Sequence, residues 1–155
     1  MSDTPTLTLT GKDTIALDGV PMINFGPGDV FTGEFPNDIS TVEIGKNGDV
    51  AATLNAQGKK MEVVLRVLRG SPEDVYLTSR NAQFAADPPS FVAYSGNFVK
   101  RIGDGSGNFQ ADNYVAAFGV PKKLYPTIKE NTQGDITQTI AEYMITFGQA
   151  VRAIL

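Results

Sequence analysis

The chain contains no cysteine and no histidine. Without cysteine there is no disulfide, no thiolate nucleophile and no cysteine-ligated zinc. Without histidine the commonest general base and metal ligand are missing, together with every Ser-His or Cys-His dyad. Tryptophan is absent as well, so no Trp platform exists for stacking a sugar. No apolar run reaches the roughly 18–20 residues that a membrane helix needs. The opening MSDTPTLTLT lacks the basic and apolar segments of a secretory signal, so synthesis in the cytoplasm without a membrane anchor is expected. Basic residues are outnumbered 13 to 17, giving a net charge of −4. That sign disfavours tight binding to nucleic acid. The basic pairs Lys59-Lys60, Lys100-Arg101 and Lys122-Lys123 read as solvated edges, with a subunit contact as the sharper alternative.

What remains is a chain of 155 residues, 41% hydrophobic, enough for a single domain over 1–155 with its own core. Sixteen Gly and nine Pro punctuate it, as many short strands require. Thr6-Leu7-Thr8-Leu9-Thr10 alternates and predicts a strand. Asp18-Gly19 between apolar runs predicts a hairpin, and Pro21 places its second strand at a sheet edge or start. A loop at Phe25-Gly26-Pro27-Gly28 precedes strands expected over 30–35, 39–44 and 50–56. Asn47-Gly48 marks the reversal between the last two.

Residues 60–69 form the clearest strand. Met61, Val63, Leu65 and Val67 make one apolar face; Glu62, Val64, Arg66 and Leu68 make a mixed one. Such a strand is often covered on both sides, with a helix or a neighbouring subunit as the second cover. Ser71-Pro72-Glu73-Asp74 then starts a helix expected over about 71–85. Ser caps, Pro suits the first position and the acids suit the dipole. Asp87-Pro88-Pro89 ends it. Strands over 90–102 and 109–118 follow, joined by a Gly-rich loop, and 119–134 reads as an irregular connection. Residues 136–155 fit both a helical and an alternating pattern. Their β-branched residues favour strand, with a bend or bulge at Gly148.

Several motifs approach chemistry and fall short. The loop over 103–108 lacks the Lys-Ser/Thr of a phosphate loop and runs into a strand. The alternation Asp104, Ser106, Asn108, Gln110, Asp112 mimics a calcium loop, but Phe109 and Val115 stand where Gly and Glu are needed. Glu34, Asp38, Glu43, Asp49 and Glu62 could supply paired carboxylates, yet solvated strand faces explain them better. No catalytic, cofactor-binding or metal-binding residue is expected.

Val42-Glu43-Ile44-Gly45-Lys46-Asn47-Gly48, the apolar strand Val63-Val64-Leu65-Arg66-Val67-Leu68 and the helix start Ser71-Pro72-Glu73-Asp74-Val75-Tyr76-Leu77 occur in that order. Upstream lie Ile15 to Ile23 and Phe25-Gly26-Pro27-Gly28-Asp29; near the end stands Tyr143-Met144-Ile145-Thr146-Phe147-Gly148. This arrangement resembles the tail-tube proteins of contractile-tailed bacteriophages. The resemblance implies a mainly β protein, a β-sandwich or barrel with one flanking helix. It also implies homohexameric rings stacked into a tube, with sheath and baseplate proteins as partners and DNA passing through without specific binding. Its location would be the virion tail. A ring of six would carry about −24, which suits a bore that DNA must slide through. Related tailocin or type VI-like secretion tubes share the expected architecture, and a small β-sandwich ligand-binding module is the alternative from another class. Candidate inter-subunit contacts are Lys46, Asn47, Gly48 and Asp49 at the hairpin turn, and Ile154 and Leu155 at the apolar end.

Overall fold

A computed structural model describes residues 7–8, 14–26 and 30–154. Ten strands and one α-helix lie among them: β1 (Leu7–Thr8), β2 (Thr14–Leu17), β3 (Val20–Pro21), β4 (Phe31–Glu34), β5 (Ser40–Ile44), β6 (Val50–Leu54), β7 (Met61–Leu68), α1 (Pro72–Ala86), β8 (Tyr94–Gly103), β9 (Phe109–Pro121) and β10 (Ile140–Ile154). Eight strands form one antiparallel sheet in the order β3-β2-β8-β9-β10-β7-β4, with β1 added beside β8. The fifth and sixth strands stand apart as a two-stranded sheet.

The sheet curls over its own apolar face. Phe31 near one end of the path stacks on Phe98, with ring centroids 4.5 Å apart, and Phe98 meets the Phe147 ring edge-on at 6.0 Å. Inside the curl lie Leu17, Met61, Val63, Leu65, Val67, Tyr143, Ile145 and Phe147. Among the described residues β3 and β4 do not pair, so no barrel closes. The mainly β, sandwich-like alternative with one helix is therefore the fold, and the barrel alternative is not.

Local chemistry explains most elements. Asp18 and Gly19 both take positive φ, 54° and 79°, as a primed hairpin turn demands. Pro21 sits on β3, the end strand of the sheet, where its missing donor costs nothing. Ser71 caps the helix, its hydroxyl accepting from the Asp74 amide at 3.3 Å. The chain leaves helical geometry at Asp87, directly before the two prolines.

Some boundaries move. Of the alternating segment only Leu7 and Thr8 are in a described strand; Thr6, Leu9 and Thr10 lie outside the described residues, as do Pro27, Gly28, Asp29 and Leu155. Ala56 leaves its strand for a 3-10 turn (Ala56–Lys59), because the Asn55 side chain accepts from the Gln57 amide at 3.1 Å. Ser90 belongs to a second such turn, Pro88–Ser90. Residues 119–121 extend β9 rather than opening the irregular connection. In the ambiguous tail strand wins, after a 3-10 turn at Ile136–Thr139.

Two expectations about faces are sharpened. α1 does not supply the second cover of β7. Its Asp74 and Thr78 reach the Tyr143 hydroxyl, and Tyr143 is paired with Leu65 on the face that is already apolar. The mixed face is instead partly covered by the connection before β10, where Thr127 bridges to Glu142. At Gly148 the burial phase of β10 flips: Tyr143, Ile145 and Phe147 point inward, then Ala150 does. Register with β9 is unchanged across the flip, because Phe118 opposite takes positive φ, 59°. A Cβ on Gly148 would stand 3.3 Å from the Phe118 Cβ, so the smallest residue sits at the close approach.

Candidate subunit interface

The β5–β6 hairpin is tied firmly at its root and bare along its length. The Asn55 amide donates to the Ile39 carbonyl at 2.6 Å, and Asn37 Nδ2 donates to the Gln57 carbonyl at 3.3 Å. Gly58 is buried there, and any Cβ on it would lie 2.5 Å from Ile39 Cα. At the tip the Gly45 amide donates to the Asp49 carbonyl at 2.7 Å, and Gly48 holds φ 83°. Lys46, Asn47, Gly48 and Asp49, the expected turn contacts, are all exposed at this tip.

Between root and tip, register sorts the side chains. Val42 pairs with Ala52 and Ile44 with Val50, while Thr41 pairs with Thr53 and Glu43 with Ala51. Directly opposed residues share a face. One face is therefore Val42, Ile44, Val50, Ala52 and Leu54, with Ser40 at its root end; the other is Thr41, Glu43, Ala51 and Thr53. The apolar face is in solvent: Val42 is 59% exposed, Ile44 73%, Val50 67% and Leu54 75%. A two-stranded sheet with a bare apolar face is marginal in water, and contiguous exposed apolar strips are uncommon on monomeric proteins. The sequence reading named the turn and missed this strip. Continuing the two-residue alternation across Asn47-Gly48 identifies it.

A second bare strip lies on the outer face of β9 and β10. Val115 and Val151 face each other across the ladder at 53% and 65% exposure, and Phe118 is 67% exposed. β7 pairs with β10 only up to Phe147, so among the described residues the β10 edge beyond Gly148 is open. Ile154 lies on this segment and is half exposed, paired with Asp112 in the ladder. The neighbouring Arg152 grips Asp112 with two bonds of 2.8 and 3.0 Å. That hydrogen bond holds the Asp112 carboxyl below the usual carboxylate range, against the desolvation that opposes it.

The titratable groups cluster elsewhere, in the seam under α1. Glu73 accepts from Asn24 Nδ2 at 2.8 Å and from the Ile23 amide at 3.3 Å. Asp18 accepts from the Tyr76 hydroxyl at 2.6 Å, from Arg80 at 3.1 Å and from the Ser95 amide at 3.0 Å. Asp74 accepts from Tyr143 and from the Gly70 amide, and Asn81 accepts from Tyr94 at 2.9 Å. Burial raises the Tyr94 and Tyr143 hydroxyl pKa values, and for Tyr143 the Asp74 carboxylate adds to it. For Glu73 desolvation pushes upward, but the bonds from Asn24 and the backbone outweigh it, leaving its carboxyl below the ordinary value. Each carboxylate here is consumed by fastening helix to sheet.

Of the surface carboxylates, Glu34 and Glu62 meet in register on β4 and β7. Lys122 neutralises Glu62 at 3.1 Å, with Lys60 at 3.8 Å. Glu43 and Asp49 stay on the exposed hairpin, and Asp38 is exposed just before its root. The loop over 103–108 connects β8 and β9 and folds on itself: Asp104 accepts from the Ser106 and Asn108 amides at 2.8 and 3.3 Å. No family model matches this chain, and no curated protein matches it.

Proposed function

We propose that this chain is a structural, non-enzymatic virion protein: the subunit of homohexameric rings that stack into the inner tail tube of a contractile-tailed phage. The observation that carries the reading is the anchored hairpin with its apolar face in solvent. A surface of that kind is stable when another copy covers it. Its sandwich-like sheet with one capped helix also agrees with the fold that the resemblance implies. In this reading the sheath surrounds the tube, the baseplate terminates it, and DNA passes through a bore kept acidic by a net −4 per chain.

Negative-stain electron microscopy of the purified protein over rising concentration tests it. Six-fold rings or hollow tubes are the expected result. A protein that stays monomeric at every concentration and salt overturns the reading. Reversing the acidic residues found on the bore should slow DNA ejection, and unchanged ejection would remove the electrostatic part.

A further inference from the structure

We propose that the apolar face of the β5–β6 hairpin docks on the outer face of β9 and β10 of a second copy, along the line from Val120 and Phe118 to Val115 and Val151. The inference deepens the subunit reading and rests on it. Three observations point to this pairing.

The first is charge. Two copies at −4 each repel, so they meet best where neither presents charge. The apolar hairpin face carries only Val, Ile, Ala and Leu between Val42 and Leu54, since Glu43 points to the opposite face. On the receiving strip Val115, Phe118, Val120 and Val151 are exposed and uncharged, and the ion pair of Arg152 with Asp112 lies on the opposite face, in the phase of Ala150.

The second is shape. An open groove of about 510 Å³ runs between the hairpin root, at Asn37, Ala56 and Gln57, and the sheet face at Phe118, Val120, Thr146 and Gly148, with Lys60 as its one charged lining residue. Three residues along β9 from Phe118 stands Val115, paired with Val151. The five paired residues of each hairpin strand span about 17 Å, against about 20 Å for the receiving stretch from Val115 to Val120.

The third is direction. Donor and receiver are different surfaces of one chain, so the contact is heterologous. It repeats from copy to copy and closes into a ring or continues as a stack. The phase flip at Gly148 makes the receiver possible. Without it Val151 would share the inward phase of Phe147.

A chain without cysteine offers a clean test. Affinity-tagged Ile44→Cys is mixed with untagged Val151→Cys under assembly conditions and treated with a short bis-maleimide. The tag separates the mixed dimer from both same-variant dimers on a denaturing gel, and only contact between chains can produce it. The mixed product should exceed either same-variant product. A parallel mixture with Val30→Cys, which lines the separate cleft beside Phe31 and Phe98, should give little. If rings form but the mixed product is no more abundant, or Val30→Cys gives more, this docking is overturned while the subunit reading stands. Absence of any assembly overturns both. As a second readout, Val151→Glu should raise the concentration needed for assembly roughly tenfold or more with an unchanged circular-dichroism melt. An unchanged assembly concentration overturns the docking.

Discussion

The seam beneath α1 and the β5–β6 hairpin treat polar and apolar atoms in opposite ways. Under the helix, Glu73 and Asn81 are buried and Leu77 is the one buried apolar residue the helix contributes. On the hairpin, apolar residues are in solvent as fully as the polar face of Thr41, Glu43 and Thr53. The seam's carboxylates and hydroxyls find their partners within one chain, on β8, β10, the turn after β2 and the segment after β3. The hairpin pairs its two strands with each other and leaves its apolar side chains uncovered. Burying a polar group is costly unless it is bonded; exposing an apolar strip is costly until it is covered. Folding meets the first condition; in the proposed reading assembly meets the second.

That contrast makes mutations separable. The largest effect belongs to Leu77→Ala, which empties a fully buried site and should cost about 2–5 kcal/mol in a denaturant melt. A loss well under that range would mean the helix is held by its polar bonds alone. Next comes Glu73. Its carboxyl titrates below the ordinary value of 4.5 in the folded chain, so its contribution is fully present above that pH and is lost as pH falls through the lower folded value. Glu73→Gln should cost about 1 kcal/mol at neutral pH and flatten the acid limb of a stability-versus-pH curve. An unaltered acid limb would count against this role for Glu73. Smallest for the monomer is Ile44→Ser, expected within about 0.5 kcal/mol of the parent by thermal melt. The same variant should lose assembly in the microscope. Destabilisation without loss of assembly would show that the hairpin belongs to the fold and not to the interface.

Short-range chemistry made much of this legible. The primed turn at Asp18-Gly19, the reversal at Asn47-Gly48, the cap at Ser71 and the alternation of Met61 to Val67 each depend on neighbours a few residues away. The hairpin turn was visible for the same reason. Its apolar strip depended on a register that pairs Ile44 with Val50. The receiving strip was less visible still, since Val115 and Val151 become neighbours only when β9 and β10 pair. Asp18 looked like a turn residue and is one, but it is also the acceptor for Tyr76 and Arg80, 58 and 62 positions away.

By itself, then, the sequence determined the class of the fold, the turns, the place of the helix and the absence of cysteine and histidine, because steric preference, capping and composition act locally. Tertiary structure alone decided which face α1 covers, how the phase of β10 flips at Gly148 against Phe118, and which two apolar strips are left bare. Those outcomes depend on pairings between distant strands, and a one-residue change of phase carries a side chain from core to solvent.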